Sequence, residues 1–158
     1  MKIKLMLGVV QCAAVLCAAD VAFAPNVQPL PVAMAVESNT LVRLDRSQTV
    51  TIACAEGSDD AVEWAEEHFA KWFRFTKTGW LFTSVNAPQV VAAKFSGGLV
   101  KGGDEAYELE ARPTGITLRA NTLQGVRYAL YTLRQTMLPM PRDVRKTEWY
   151  AMPAMKVT

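Results

Sequence analysis

Apolar and polar residues alternate most regularly between positions 105 and 137. From Glu105 to Ala111 the apolar side chains are Ala106, Tyr107, Leu109 and Ala111, with Glu108 and Glu110 between them. This is close to the period of two that marks a half-buried strand. Gly115 to Ala120 repeats the pattern, with Ile116 and Leu118 on one face and Thr117 and Arg119 on the other. Pro113 fixes its φ and Gly115 permits unusual values, so the pair predicts a tight hairpin between the two runs. Asn121 or Thr122 then offers a short side-chain oxygen to cap a helix. In that helix, from Thr122 to about Met137, Leu123, Val126, Ala129, Leu130, Leu133 and Met137 share one face. Gln124, Arg127, Tyr128, Tyr131, Arg134 and Gln135 stand opposite, and Pro139 and Pro141 end the helix.

The rest of the chain is patterned around this unit. Pro25 to Pro31 is an extended lead-in. Val32 to Val36 and Thr40 to Asp45 are expected strands, with a turn at Ser38-Asn39. Thr49 to Cys54 sets Val50, Ile52 and Cys54 against Thr49, Thr51 and Ala53. Gly57-Ser58-Asp59 leads into a helix expected from Asp59 or Asp60 to about Thr76, acidic in its first half and basic in its second. Ala61, Val62, Ala65, Phe69, Trp72 and Phe73 form its apolar arc, which Trp64, His68 and Phe75 widen. An arc wider than the ~100° of a one-sided helix predicts burial of more than one flank. Gly79 ends the helix, and Trp80 to Val85 and Gln89 to Phe95 follow as β-prone runs. Gly97-Gly98 and Gly102-Gly103 bracket a short mobile piece, and Glu148 to Val157 is extended but interrupted by Pro153. Runs of strands separated by only two helices predict an α+β fold. Its mixed or mainly antiparallel sheet would carry both α-helices on one face.

Composition narrows the setting. At 158 residues the chain can build one cored domain but not a barrel enzyme of about 250 residues. Its 17 basic and 15 acidic residues form no basic stripe, so nucleic acid is not a predicted partner. Lys2 and Lys4, the apolar run Leu5 to Leu16, and Ala22-Phe23-Ala24 predict a signal peptide over residues 1–24, leaving a domain at 25–158. Pro25 is an awkward neighbour for a cut after Ala24, so cleavage after Ala19 is the alternative. The apolar run is too short to span a bilayer, and bulky Leu16 disfavours a lipid anchor on Cys17. The expectation is bacterial export to the periplasm or the extracellular space, with no membrane attachment once the signal is removed. Cys12 and Cys17 leave with the signal, so Cys54 remains as a small buried apolar residue without a disulfide partner.

Three groups of residues carry candidate chemistry. Gly102-Gly103-Asp104-Glu105 places adjacent carboxylates behind two glycines, as some glycosidase sites do. Trp64, Trp72, Trp80 and Trp149 have faces that could stack on sugar rings. Trp72 falls mid-face and is expected in the core, so Trp64 and Trp80 are the substrate-binding candidates. Arg127, Tyr131 and Arg134 stand at i, i+4 and i+7 on the outer face of the second helix, either as a solvated face or as a docking surface. The one histidine, His68, and the lack of an H-E-x-x-H motif predict no metal site, and no cofactor is expected.

The lead-in from Val27 to Val36, the first aromatic helix and above all residues 103–137 resemble the N-terminal accessory domain of family 20 glycoside hydrolases, the β-N-acetylhexosaminidases, and the resemblance covers essentially the whole mature chain. The family's first strand falls on Asp104, Glu105, Tyr107 and Leu109, and its second on Gly115, Ile116, Leu118 and Ala120. Its helix falls on Gly125, Tyr128, Ala129, Thr132, Leu133 and Gln135. The resemblance implies a zincin-like fold that has lost its metal site, followed in the family by a catalytic (β/α)8 barrel. Trp149 to Thr158 resembles the lead into that barrel, so the chain is expected to stop short of it. In the barrel a glutamate protonates the leaving oxygen, and an aspartate orients the substrate's own acetamido nucleophile.

Asp104 and Glu105 match the letters of that catalytic pair. Yet Tyr107 and Leu109 beyond them match the accessory strand, no histidine precedes the glycines, and no barrel fits in the ~130 residues after the signal. Both carboxylates are therefore assigned to a solvated turn before an edge strand, and no residue receives a catalytic role. The expectation is a non-catalytic accessory domain of a secreted β-N-acetylhexosaminidase-type glycosidase of carbohydrate metabolism, inactive alone. The alternative is a free-standing module that binds N-acetylated glycans or a protein.

Overall fold

A computed structural model describes residues 31–74, 88–93, 100–140 and 149–158. Among them lie seven strands and two helices. In chain order these are β1 Met34–Leu44, β2 Thr49–Cys54, α1 Ser58–Arg74, β3 Gln89–Ala92, β4 Tyr107–Arg112, β5 Gly115–Ala120, α2 Leu123–Thr136, β6 Leu138–Met140 and β7 Trp149–Val157. The strands form one sheet in the order β1-β7-β4-β5-β2-β3, with β6 joined to β7. β2 runs parallel to β3 and β5, and the other pairs are antiparallel. α1 packs on β2 and β3, α2 packs on β4 and β5, and the helices touch each other, so both cover one face. This is the expected α+β architecture. The segment 1–24, the Pro-rich lead-in before Pro31, the run Trp80–Val85 and the Gly97-Gly98 pair lie outside the described residues.

The core sits between sheet and helices. In-register pairs place Ile52, Leu118, Leu109 and Val157 in one apolar row across β2, β5, β4 and β7, all fully buried. Ala61, Ala65 and Phe69 of α1 and Val126, Ala129, Leu130 and Leu133 of α2 close over the sheet. Among the described residues three buried side chains are polar. Gln48 Nε2 reaches the carbonyls of Arg112 and Pro113 at 3.4 and 3.5 Å, tying β2's approach to the hairpin. Thr136 Oγ1 donates back to the Leu133 carbonyl, and Thr132 Oγ1 shares a 2.7 Å hydrogen bond with the Tyr107 hydroxyl.

Burial pushes the Tyr107 phenol above its ordinary 10.0, with the Thr132 bond acting against it. The folded state therefore holds this proton more tightly than the unfolded chain. The resulting stability is complete below the unfolded value and is lost as pH rises through the folded one. Tyr107→Phe should flatten the alkaline limb of a melting-temperature profile, with Tyr150, raised by burial in the same way, leaving a remainder. An unaltered limb would show that Tyr107 contributes nothing to it.

The structure corrects the expected layout at several points. β1 is one strand, not two separated by a turn. Its register with β7 shifts between Glu37 and Leu41, so Ser38-Asn39 lies in an irregularity of a continuous strand. β7 likewise runs unbroken through Pro153. On one side, Pro153 meets the β1 irregularity. On the other, β7 changes neighbour, from β6 at Trp149–Ala151 to β4 at Met155–Val157. A proline lacks the ladder N–H and is tolerated where the ladder is already interrupted. Pro139 does more than follow a helix: it lies in the three-residue β6, which among the described residues pairs with β7 alone. The hairpin turn is Pro113-Thr114, and Gly115 already pairs with Arg112 as the first residue of β5.

Candidate functional site

The loop carrying the two glycines and two carboxylates is fastened to the start of α2. Asn121 Nδ2 lies 3.0, 3.4 and 3.2 Å from the carbonyls of Val100, Gly102 and Gly103. Thr122 is the helix cap: its Oγ1 accepts the Gly125 N–H at 3.3 Å and donates to the Asp104 carbonyl. Glu56, from the β2–α1 connection, accepts the Leu123 N–H at 3.0 Å, so a second orphan donor of the helix start is satisfied. Gly102 has φ +137°, a value side chains rarely tolerate, and a Cβ there would sit 2.7 Å from the Ala106 Cβ. Gly102 thus serves the turn itself.

Asp104 and Glu105 are both exposed, and the Tyr128 hydroxyl donates to Glu105 Oε1 at 3.3 Å. A glycosidase acid works from a sheltered pocket that holds its proton. These carboxylates project from a surface loop instead. The strand beyond them is not an edge strand: β4 lies between β5 and β7, because strand order places the C-terminal β7 inside the sheet.

The sheet face away from the helices holds the described concavities. The larger, about 460 Å³ and open, is lined by Thr49, Thr51, Glu110, Arg112, Thr114 and Thr117 among others. The smaller is bordered by Glu108, Glu110, Arg119 and Lys156. Arg119 pairs with Glu108 at 3.3 Å, and Arg112 pairs with Glu110 at 3.1 Å and with Glu37. Glu37 and then Glu110 hold the Arg112 guanidinium above its usual range. The charges are thus matched both within β4 and between strands, as on a solvated sheet face. Among the described residues no three His, Cys, Asp or Glu side chains gather to hold a metal ion. Cys54 is free and buried at the end of β2.

The seam between the helices is organised differently. Trp64 and His68 stack with ring centroids 3.7 Å apart and planes 19° from parallel. His68 Nδ1–H donates to the Trp64 carbonyl at 2.7 Å, which fixes the tautomer. From α2, the Arg127 guanidinium lies 5.1 Å from the centre of the Trp64 ring. Arg127 is half-buried, and its Nε is covered without an acceptor. Of the three outer-face residues on α2, Tyr131 and Arg134 are exposed while Arg127 leans into the seam. The Trp64 ring is therefore engaged within the molecule, Trp80 lies outside the described residues, and so does the Trp72 side chain. Trp149 meets a different arginine, Arg43, 4.8 Å from its ring. The i,i+4 spacing of Trp64 and His68 was available to sequence inspection as a side-chain pair. Arg127 and Arg43 reach their tryptophans only through the tertiary fold.

One open mixed sheet under two helices, with its reactive-looking carboxylates on a surface loop, defines an α+β scaffold domain. The chain belongs to glycosyl hydrolase family 20, domain 2, whose family model matches residues 24–158. Similar solved structures include an exo-β-N-acetylglucosaminidase of Vibrio harveyi, 19% identical with a TM-score of 0.54, where 88% of this chain matches 19% of that one. The β-N-acetylhexosaminidase of Streptomyces coelicolor A3(2) is 22% identical with a TM-score of 0.53, and 84% of this chain matches 26% of it. A chitobiase of Flavobacterium johnsoniae is 17% identical with a TM-score of 0.53, and 82% of this chain matches 20% of it. At these identities the likeness is one of fold. The chain spans between a fifth and a quarter of the length of such proteins. Comparison with curated proteins gives no match.

Proposed function

We propose that this chain is the non-catalytic accessory domain of an exported β-N-acetylhexosaminidase-type glycoside hydrolase, and that it supports a catalytic (β/α)8 barrel. The observation that carries this reading is the family match over residues 24–158, set beside hexosaminidase structures several times as long. The hydrolysis of N-acetylated β-glycans belongs to the barrel, and Asp104 and Glu105 take no part in it. The surface offered to the barrel is the outer face of α2, where Arg127, Tyr131 and Arg134 recur within two turns. Between Leu123 and Thr136 that helix has two arginines and no carboxylate.

The reading frame beyond Thr158 tests the proposal. An in-frame barrel supports it, and a stop codon with no barrel gene alongside sinks it. Export supplies a second expectation. Secreted protein subjected to N-terminal sequencing should begin at Pro25 or Asp20, and retention of Met1 in the mature protein would remove the signal-peptide assignment.

A further inference from the structure

The open face of the sheet repeats the register of the core in polar residues. Thr51, Thr117, Glu110 and Lys156 lie side by side across β2, β5, β4 and β7, each one residue from the apolar row on the other face. The two concavities on this face adjoin, because Glu110 and Thr117 line both. Gly115 stands between Thr49 and Arg112 and has no side chain to fill the larger one. At about 460 Å³ that concavity is the size of a small-molecule site, ~300–1,000 Å³. Thr49, Thr51, Thr114 and Thr117 border it, and none of their hydroxyls bonds to another described residue. A hydroxyl both donates and accepts, so these four can meet another hydroxyl in either sense.

Charge is present on this face but balanced. Glu37, Glu108 and Glu110 hold Arg112 and Arg119, and Lys156 lies opposite Glu110 in register. Carboxylates and cations are equal in number, so the face draws in neither an anion nor a cation. The ion pairs also restrain the side chains before any ligand arrives, which lowers the ordering cost of binding. A protein partner would need an apolar centre. Among the described residues the exposed large apolar side chains are Val32, Leu41 and Tyr131, and none lines either concavity. Nucleic acid would need a net positive surface. The chemistry that fits is a neutral chain of hydroxyl groups.

We propose that the open sheet face is a binding site for a neutral oligosaccharide, with the Thr51 and Thr117 hydroxyls at its centre. Glu110 and Arg112 offer an acceptor and a donor beside them. Among the described residues no aromatic ring lines either concavity, so the sugar is held by its hydroxyl edge and not by stacking, and binding is weak. The site lies on the side of the sheet away from α2. It therefore goes beyond the accessory-domain reading and stands or falls without it.

The test follows the backbone amides of the purified chain by nuclear magnetic resonance during titration with three tetrasaccharides: a neutral N-acetylated β-glucosaminide, a neutral β-glucan and an acidic galacturonide. The amides of Thr51, Glu110 and Thr117 should shift with at least one neutral ligand, with a Kd of about 1 mM or below, and should do so equally at high salt. The double variant Thr51→Val with Thr117→Val keeps the shape of the face and removes both hydroxyls. It should bind about tenfold more weakly. Glu63→Gln, on the exposed side of α1, should bind as wild type does. Circular dichroism and melting temperature confirm that each variant is folded. No shift with either neutral ligand at about 10 mM overturns the inference and leaves the accessory-domain reading standing. Binding of the acidic ligand alone, shifts confined to the helices, or unaltered affinity in the double variant would overturn it as well. Self-association of the chain through Thr51 and Thr117 would assign the face to a second copy and also overturn it.

Discussion

Gly125→Ala is expected to destabilise the domain by about 2 kcal/mol, although alanine is the better helix former. A Cβ at Gly125 would lie 2.6 Å from the Ala106 carbonyl oxygen and 3.0 Å from the Ala120 Cβ. Neither can give way easily. The Ala106 N–H is bonded to the Gly103 carbonyl, and the next residue, Tyr107, is already paired with Ala120 in the β4–β5 ladder. Overpacking of this kind costs up to about 3 kcal/mol, against a gain of about 1 kcal/mol from removing a helical glycine. The net loss should lower the melting temperature by about 8 °C. A variant as stable as wild type would show that the loop at 100–106 moves aside and is not fastened to α2.

Leu118→Ala is expected to cost more, about 3 kcal/mol or above, because it opens a cavity in the centre of the apolar row. Leu118 is fully buried, with Ile52 on one side and Leu109 on the other in register. Its neighbour Thr117 points to the open face beside Glu110. Thr117→Ala should therefore stay within about 0.5 kcal/mol of wild type. Urea denaturation of the two variants checks the face assignment. Equal losses at Leu118 and Thr117 would mean that the sheet is not one-sided.

The sequence pattern located elements better than it located their neighbours. Gly115 to Ala120 became β5 with the same bounds, because alternation and a hairpin turn are local signals. α2 ended within a residue of its expected limits, and Thr122 proved to be its cap while Asn121 ties down the preceding loop. Strand order is not local, which is why β4 was expected at an edge but lies inside the sheet. The same cause explains β1 and β7. Ser38-Asn39 and Pro153 break strands by composition, yet they face each other across the sheet, where each accommodates the other's irregularity. β6 escaped notice because three residues around Pro139 carry no period.

At the candidate site, Asp104 and Glu105 were legible as letters, and the family resemblance correctly placed them in an accessory domain. Their environment needed the fold: the Asn121 and Thr122 clamps join residues some twenty positions apart. The Trp64–His68–Arg127 stack was half legible. The pair on α1 follows from spacing, whereas Arg127 arrives from a helix more than fifty residues further on.

On the proposed accessory role, the chemistry lies outside this chain. The most direct test of that role is hydrolysis of a chromogenic N-acetyl-β-glucosaminide by the purified chain, assayed across acidic and neutral pH beside Glu105→Gln. The chain is expected to release no chromophore above the buffer blank, and Glu105→Gln to behave identically. Turnover by wild type that disappears in Glu105→Gln would contradict it and return Asp104 and Glu105 to a catalytic role.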